Sequence, residues 1–200
     1  DKGTIIGSAA DDIFTILPDQ EVDIFGEEGV NTLIVPSGNN QWNLSGNESG
    51  GINGRITFNK IQNLQGGSGD DTFTIGINGS VSNIQGGGGT NTLIGKNSDN
   101  QWDLKNINSG TVSSIQFTQI QNLTGGTSND TFTMQDQAKI EGTVDGFSDQ
   151  CNTLIYTDWT TPVIIDIKNH IATNIGAIYR IQNYILPEKN FEFFDVLIDS

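Results

Sequence analysis

Two hundred residues with 24 acidic and 9 basic side chains carry a formal net charge of −15, which argues against nucleic acid or anionic membrane as partners, since both are held by clustered Lys and Arg. The 25 glycines, 4 prolines and mean hydropathy of −0.30 disperse the apolar residues too evenly for a compact helical domain, and no apolar run approaches the roughly 18 residues that span a bilayer. With Cys151 the only cysteine and His170 the only histidine, no intramolecular disulfide, cysteine-based metal site, histidine-based zinc site or catalytic triad can be assembled, and the lone Cys is expected to be a small buried residue.

The first element along the chain is a short strand about Ile5, with Thr4 before it and Gly7 two residues after. The same cassette returns at Ile24 with Gly26, Leu44 with Gly46, Leu64 with Gly66 and Ile84 with Gly86. It continues at Leu104 with Asn106, Leu123 with Gly125, Val144 with Gly146 and Ile167 with Asn169, in steps of 19 to 23 residues. Between these cassettes lie apolar triplets and alternations such as "TLI", "TFTI" and "IQF", bounded by Gly, Asn and Ser, which read as short strands joined by tight turns. A recurring Gly replaced only by Asn marks a backbone position expected to need positive φ.

A longer period lies over the short one. Phe14, Phe73 and Phe132 follow one another at 59 residues in a D-x-F-T context; "NTLI" begins at Asn31, Asn91 and Asn152; "NQW" begins at Asn40 and Asn100; and "IQN" begins at Ile61, Ile120 and Ile181. A unit with one thin apolar stripe cannot bury it alone, but stacked copies make a continuous core. The expected fold is therefore all-β: a parallel β-solenoid, β-helix-like or β-roll-like, of about ten coils of roughly 20 residues, three to each superrepeat. At ~4.8 Å per coil this is a rod on the order of 45 Å long. The solenoid is expected over residues 1–186, with superrepeats near 10–69, 70–129 and 130–186, and a cap or tail over 187–200.

"GGSGDDTFT", Gly66 to Thr74, fits the nonapeptide G-G-x-G-x-D-x-U-x in full, and "GGGGTNTLI", Gly86 to Ile94, follows one coil later with Asn91 in place of the acid. On these residues the chain resembles the RTX-like, hemolysin-type calcium-binding repeat regions of large secreted bacterial adhesins and exoproteins, over roughly residues 3 to 186. The resemblance implies secretion or display on the bacterial cell surface, flanking repeats of a longer chain, and Ca²⁺ held between stacked loops. Carried onto this sequence, the metal site would be Asp71 and Asn91 with Asp70, Gly67 and Gly69, where glycines turn carbonyls toward a hard cation and Asp supplies charge.

The residues themselves leave a second reading open. Asp71, Asn91 and their column mates Asp12, Asn31, Asp130 and Asn152 can cap turns through side-chain to backbone bonds with no ion. Alternating Asn with Asp also removes the repulsion of stacked acids and leaves amide ladders, so the chain is expected to fold without calcium. Pairs such as Asp11 with Asp12 and Asp70 with Asp71 suggest a polysaccharide-degrading or carbohydrate-binding β-helix as the alternative function. Basic residues are scattered, however, and no superrepeat gains a cluster of acids, so no catalytic residue is assigned. Trp42 and Trp102 occupy equivalent places, which points to packing before sugar stacking. The function expected is a non-catalytic structural or adhesive segment of a secreted or cell-surface bacterial protein, with weak calcium binding at the RTX-like loops, a glycan or other cell-surface ligand as partner and no enzyme activity.

Overall fold

The computed structural model describes residues 2–148, 150–156, 159–188 and 191–194. These residues contain no α-helix and are organised as two large sheets, of thirteen and ten strands, whose pairings are mainly parallel. Early in the chain, strands fall alternately on the two sheets: Gly3–Ile6 and Val22–Phe25 pair in parallel in the first, Ile13–Thr15 and Thr32–Ile34 in the second. About twenty residues thus bring the chain back beside itself, which is the physical content of the short period.

Parallel pairing stacks like positions on like. Leu33, Leu64, Ile84 and Phe117 form one register column in the second sheet. Phe73, Leu93, Leu123, Val144 and Ile178 form one in the first. All are buried and belong to a single apolar cluster fed by both sheets, and each such side chain contributes roughly 1.5–3 kcal/mol on leaving water. Trp42 and Trp102 are both 1% exposed and lie stacked on Phe73 and Phe132, with centroids 5.2 and 5.4 Å apart. Packing accounts for their repetition.

The all-parallel expectation needs correction at one place in each superrepeat. After Thr32–Ile34 the chain does not settle beside Val22–Phe25; it runs out as Gln41–Gly46 and folds back through Ser49–Ile52 and Ile56–Asn59, two antiparallel steps. The last strand of this meander then lies parallel to Val22–Phe25, and the first lies parallel to Thr72–Ile75. Equivalent meanders are Gln101–Leu104, Gly110–Val112 and Ile115–Thr118 in the second sheet, and Val163–Asp166, Ile171–Ala172 and Ile175–Tyr179 in the first. The physical reason lies in turns such as "SGNESGG" and "INGR", where Glu48, Asn53 and Gly54 adopt positive φ and reverse the strand direction.

Each superrepeat visits the sheets an odd number of times, counting a meander as one visit, so successive meanders land on the first, second and first sheets in turn. The two extra strands of each meander are thereby added to alternate sides of the stack. Toward the C-terminus, Phe191–Phe194 adds a parallel strand to Val163–Asp166. The rest of the tail expected to act as a cap, residues 189–190 and 195–200, lies outside the described residues.

Candidate functional site: the Asx ladders

The recurring Asx residues sit just before strands, at the corners where the chain passes into a sheet. Asn31, Asn40, Asp71, Asn91, Asn100, Asp130 and Asn152 are all 0% exposed. Polar groups held so deeply must be paired, and the pairing runs along the stack. Both Asn40 N–H groups, backbone and Nδ2, donate to Asp71 Oδ1 at 2.8 Å. The Asp71 backbone N–H donates to Asn91 Oδ1 at 2.9 Å, and that of Asn91 to Gln121 Oε1 at 2.7 Å.

Asn100, Asp130, Asn152 and Gln182 repeat this order of four: Asn100 donates twice to Asp130 Oδ1, Asp130 N–H to Asn152 Oδ1, and Asn152 N–H to Gln182 Oε1. Asp12, Asn31 and Gln62 repeat the last three members. Each side chain therefore takes the place of a backbone partner that the corner geometry removes.

The asparagines also tie the corners laterally. Asn91 Nδ2 donates to the carbonyls of Gly88 and Gln119, both at 3.0 Å. Asn31 and Asn152 do the same to Lys60 and Arg180, each at 3.1 Å. Lys60, Gln119 and Arg180 directly precede the three "IQN" triplets and adopt φ of 55°, 58° and 51°. The strained left-handed conformation accompanies a carbonyl aimed at the ladder amide.

The glycines before each ladder residue have a different cause from the one expected. Of the nine cassette positions only Asn106 has positive φ, at 55°. The rest of the explanation is space: a Cβ on Gly66 would lie 2.4 Å from Asp71 Oδ2 and from the Gly86 carbonyl, and one on Gly86 would lie 2.2 Å from the Gln119 carbonyl and 2.5 Å from Asn91 Nδ2. Glycine is required because the ladder side chain and the next carbonyl cover its α-carbon.

A second ladder runs one residue outside the first and points the other way. Asp70 N–H donates to Asn39 Oδ1 at 2.9 Å, and Asp70 Oδ1 receives the Thr90 N–H at 2.7 Å. Asp11 receives Val30, Asp99 receives Asn129, and Asn129 receives Cys151. Cys151 is exposed, against expectation, because it belongs to this outer row.

The five residues expected to form a metal site are therefore placed as follows. Asp71 is buried with Oδ1 taken by the two Asn40 donors and Oδ2 by the Gly67 N–H at 3.0 Å. Asn91 spends its amide on two carbonyls and on the Asp71 N–H. Asp70 is exposed in the outer row. Gly67 and Gly69 lie against the backbone of Pro36 and Gly38, where an added Cβ would approach to 2.3 and 2.4 Å. Among the described residues, no group of three or more His, Cys, Asp or Glu gathers in metal-binding geometry.

Burial pushes the Asp71 carboxyl above its ordinary range, and the Asn40 and Gly67 donors pull it back. The Trp42 indole N–H lies close enough to favour the Asp71 anion without reaching hydrogen-bond geometry. Asp130 differs: burial pushes it up to about 6 against the pull of Asn100, and the Asp99 charge adds to the rise. Its Oδ2 has no hydrogen-bond partner among the described residues.

The Gln members escaped the sequence reading, although "IQN" at Ile61, Ile120 and Ile181 carried the signal. Beside the glycine loops runs a shallow trough of about 380 Å³, lined by Gln65, Gln85 and Gln119 with the bare backbone of Gly67, Gly87 and Gly88. No model of a known protein family matches the chain. No curated protein matches it either.

Proposed function

We propose that the chain is a non-catalytic β-solenoid segment, a stalk or adhesive surface of a secreted or cell-surface bacterial protein, and that it folds without calcium. The observation that carries this reading is the saturation of the nonapeptide residues by the fold itself: Asp71 receives three N–H donors and Asn91 meets two carbonyls and an N–H. A Ca²⁺ ion takes six to eight oxygens, and seating it on Asp71 would require these donors to be displaced. The ladder bonds run from coil to coil, which suits a load-bearing element that must hold its length without a ligand. For the adhesive role, the trough of stacked amides and bare peptide offers donors and acceptors of the kind that neutral glycan hydroxyls pair with.

The test is thermal unfolding followed by circular dichroism in excess EGTA and in millimolar Ca²⁺, for the natural chain and for Asp71→Asn. Superimposable, cooperative, β-rich melts of the natural chain in both conditions are expected. A Ca²⁺-dependent rise in Tm that disappears in Asp71→Asn would overturn the reading and make Asp71 a calcium ligand.

A further inference from the structure

Two of the three inner ladders start on an asparagine and the third does not. Asp71 Oδ1 receives two N–H groups from Asn40, and Asp130 Oδ1 receives two from Asn100. Asp12, which stands 59 residues before Asp71, makes the onward bond to Asn31 at 3.0 Å, but its Oδ1 meets only the Ser8 hydroxyl, at 3.3 Å. Next to it, Gly3–Ile6 and Ile13–Thr15 each pair with a strand on one side only, among the described residues.

The apolar interior is also open at this end. Ile5 is in register with Ile24 and then Phe58, yet it is 36% exposed against their 1% and 3%. A cavity of about 300 Å³ lined by Ile5, Ile16, Leu17 and Val22 opens there. Phe14 lacks the stacked indole that covers its counterparts Phe73 and Phe132.

We propose that this end of the stack is a docking face for a three-stranded β-meander headed by Asn-Gln-Trp, of the class formed by residues 40–59 and 100–118. Three independent features select that occupant. Asp12 Oδ1 needs a backbone N–H and a side-chain amide N–H from one residue, which is what Asn40 and Asn100 each supply. Phe14 needs a flat aromatic partner two residues after that asparagine, where Trp42 follows Asn40 to cover Phe73 and Trp102 follows Asn100 to cover Phe132. The meanders alternate between sheets, beginning with the first, so one placed ahead of them falls on the second sheet, whose edge strand at this end is Ile13–Thr15. The docked head strand pairs in parallel with Ile13–Thr15, and its Asn carbonyl receives the Ile13 N–H as the Asn40 carbonyl receives that of Thr72.

The experiment fuses a copy of residues 39–59 directly ahead of Asp1, which keeps the 59-residue register, and follows amide hydrogen exchange. The Ile13 and Thr15 amides are expected to slow at least tenfold, and to return to the rates of the unmodified chain when Asn40→Leu is introduced in the copy alone. Equal protection by both fusions would overturn the proposal in favour of generic apolar cover, and no protection by either would overturn it outright. A second arm titrates the 39–59 peptide into the unmodified chain, where binding lost in its Asn40→Leu version is expected; it decides the matter if a fusion fails to fold, and absence of binding there overturns the proposal. Concentration-dependent protection of the same amides in the unmodified chain alone would assign the face to a second copy instead, and would also overturn it.

Discussion

Asn91→Leu is expected to lower the unfolding free energy by on the order of 4 kcal/mol, because it keeps the side-chain volume and removes every bond the amide makes. The Asp71 N–H loses its partner in a fully buried place and the Gly88 and Gln119 carbonyls lose theirs at a part-buried corner; an orphaned buried group costs about 1–3 kcal/mol, and the two carbonyls, which water reaches in part, add to it at the low end of that range. A domain of this kind holds only about 5–15 kcal/mol in total, so the variant should approach the limit of folding.

Urea unfolding followed by circular dichroism measures it, with Asn78→Ala as the control, since Asn78 is exposed and such a change should stay within about 0.5 kcal/mol. A loss below 1 kcal/mol for Asn91→Leu would mean that the ladder can be rebuilt around an apolar side chain. The scaffold role of the nonapeptide would then fall. The equivalent substitution at Asn152 should behave alike, because its Oδ1 and Nδ2 serve Asp130 and the Ser148 and Arg180 carbonyls in the same manner.

The all-β class and its period were legible because both are written in apolar spacing: residues that stack in register, such as Leu33, Leu64 and Ile84, must be alike. The meanders were not. In "NQWNLSGNESGGINGRITFN" the alternation of apolar residues is compatible with any strand direction, and the reversal is decided by φ at Glu48, Asn53 and Gly54, which composition does not mark uniquely.

The ladder residues were visible as a column, but two partner sets fit them equally well on paper, because an Asp or Asn side chain offers the same oxygen to a cation or to an N–H. What separates the two is whether a donor arrives from the neighbouring strand's corner. That depends on Asn40 lying 31 residues before Asp71 and beside it in space, a consequence of the meander that the sequence pattern did not reveal. The glycines were misread for a related reason: absence of Cβ serves positive φ and close approach alike, and only the carbonyl standing over Gly86 or Gly146 tells which.

Asp130→Asn is expected to stabilise the protein at pH 7 and to do so far less at pH 4. At Asp71 the second carboxylate oxygen is held by the Gly67 N–H, and at Asp12 by the Ser8 N–H and hydroxyl. The counterpart of Gly67 is Gly126, which lies within the strand Asn122–Gly126 at φ 151° and pairs with Phe147. Among the described residues, the Asp130 Oδ2 is left without a donor in a fully buried position.

Burial therefore favours the protonated acid, with a folded-state pKa of about 6 against an ordinary 3.8. Since the native state binds this proton more tightly than the unfolded chain, the stabilisation is fully present below pH ~3.8 and is lost as pH rises through about 6. Above that the native protein carries a buried anion that the two Asn100 donors stabilise at Oδ1 alone, at a cost on the order of 2–3 kcal/mol. Asp23, Asp103, Asp136, Glu141 and Asp166, whose carboxyls are held below their ordinary range, act in the opposite sense and lose their contribution as the pH falls.

Comparing the variant with the natural chain at each pH cancels those groups and any pH-independent cost of the new amide. The difference between the gain at pH 7 and the gain at pH 4, read from urea midpoints, isolates Asp130 and should be on the order of 2 kcal/mol in favour of pH 7. A gain that does not change with pH would show that the carboxylate finds a donor in solution and that its burial carries no electrostatic cost.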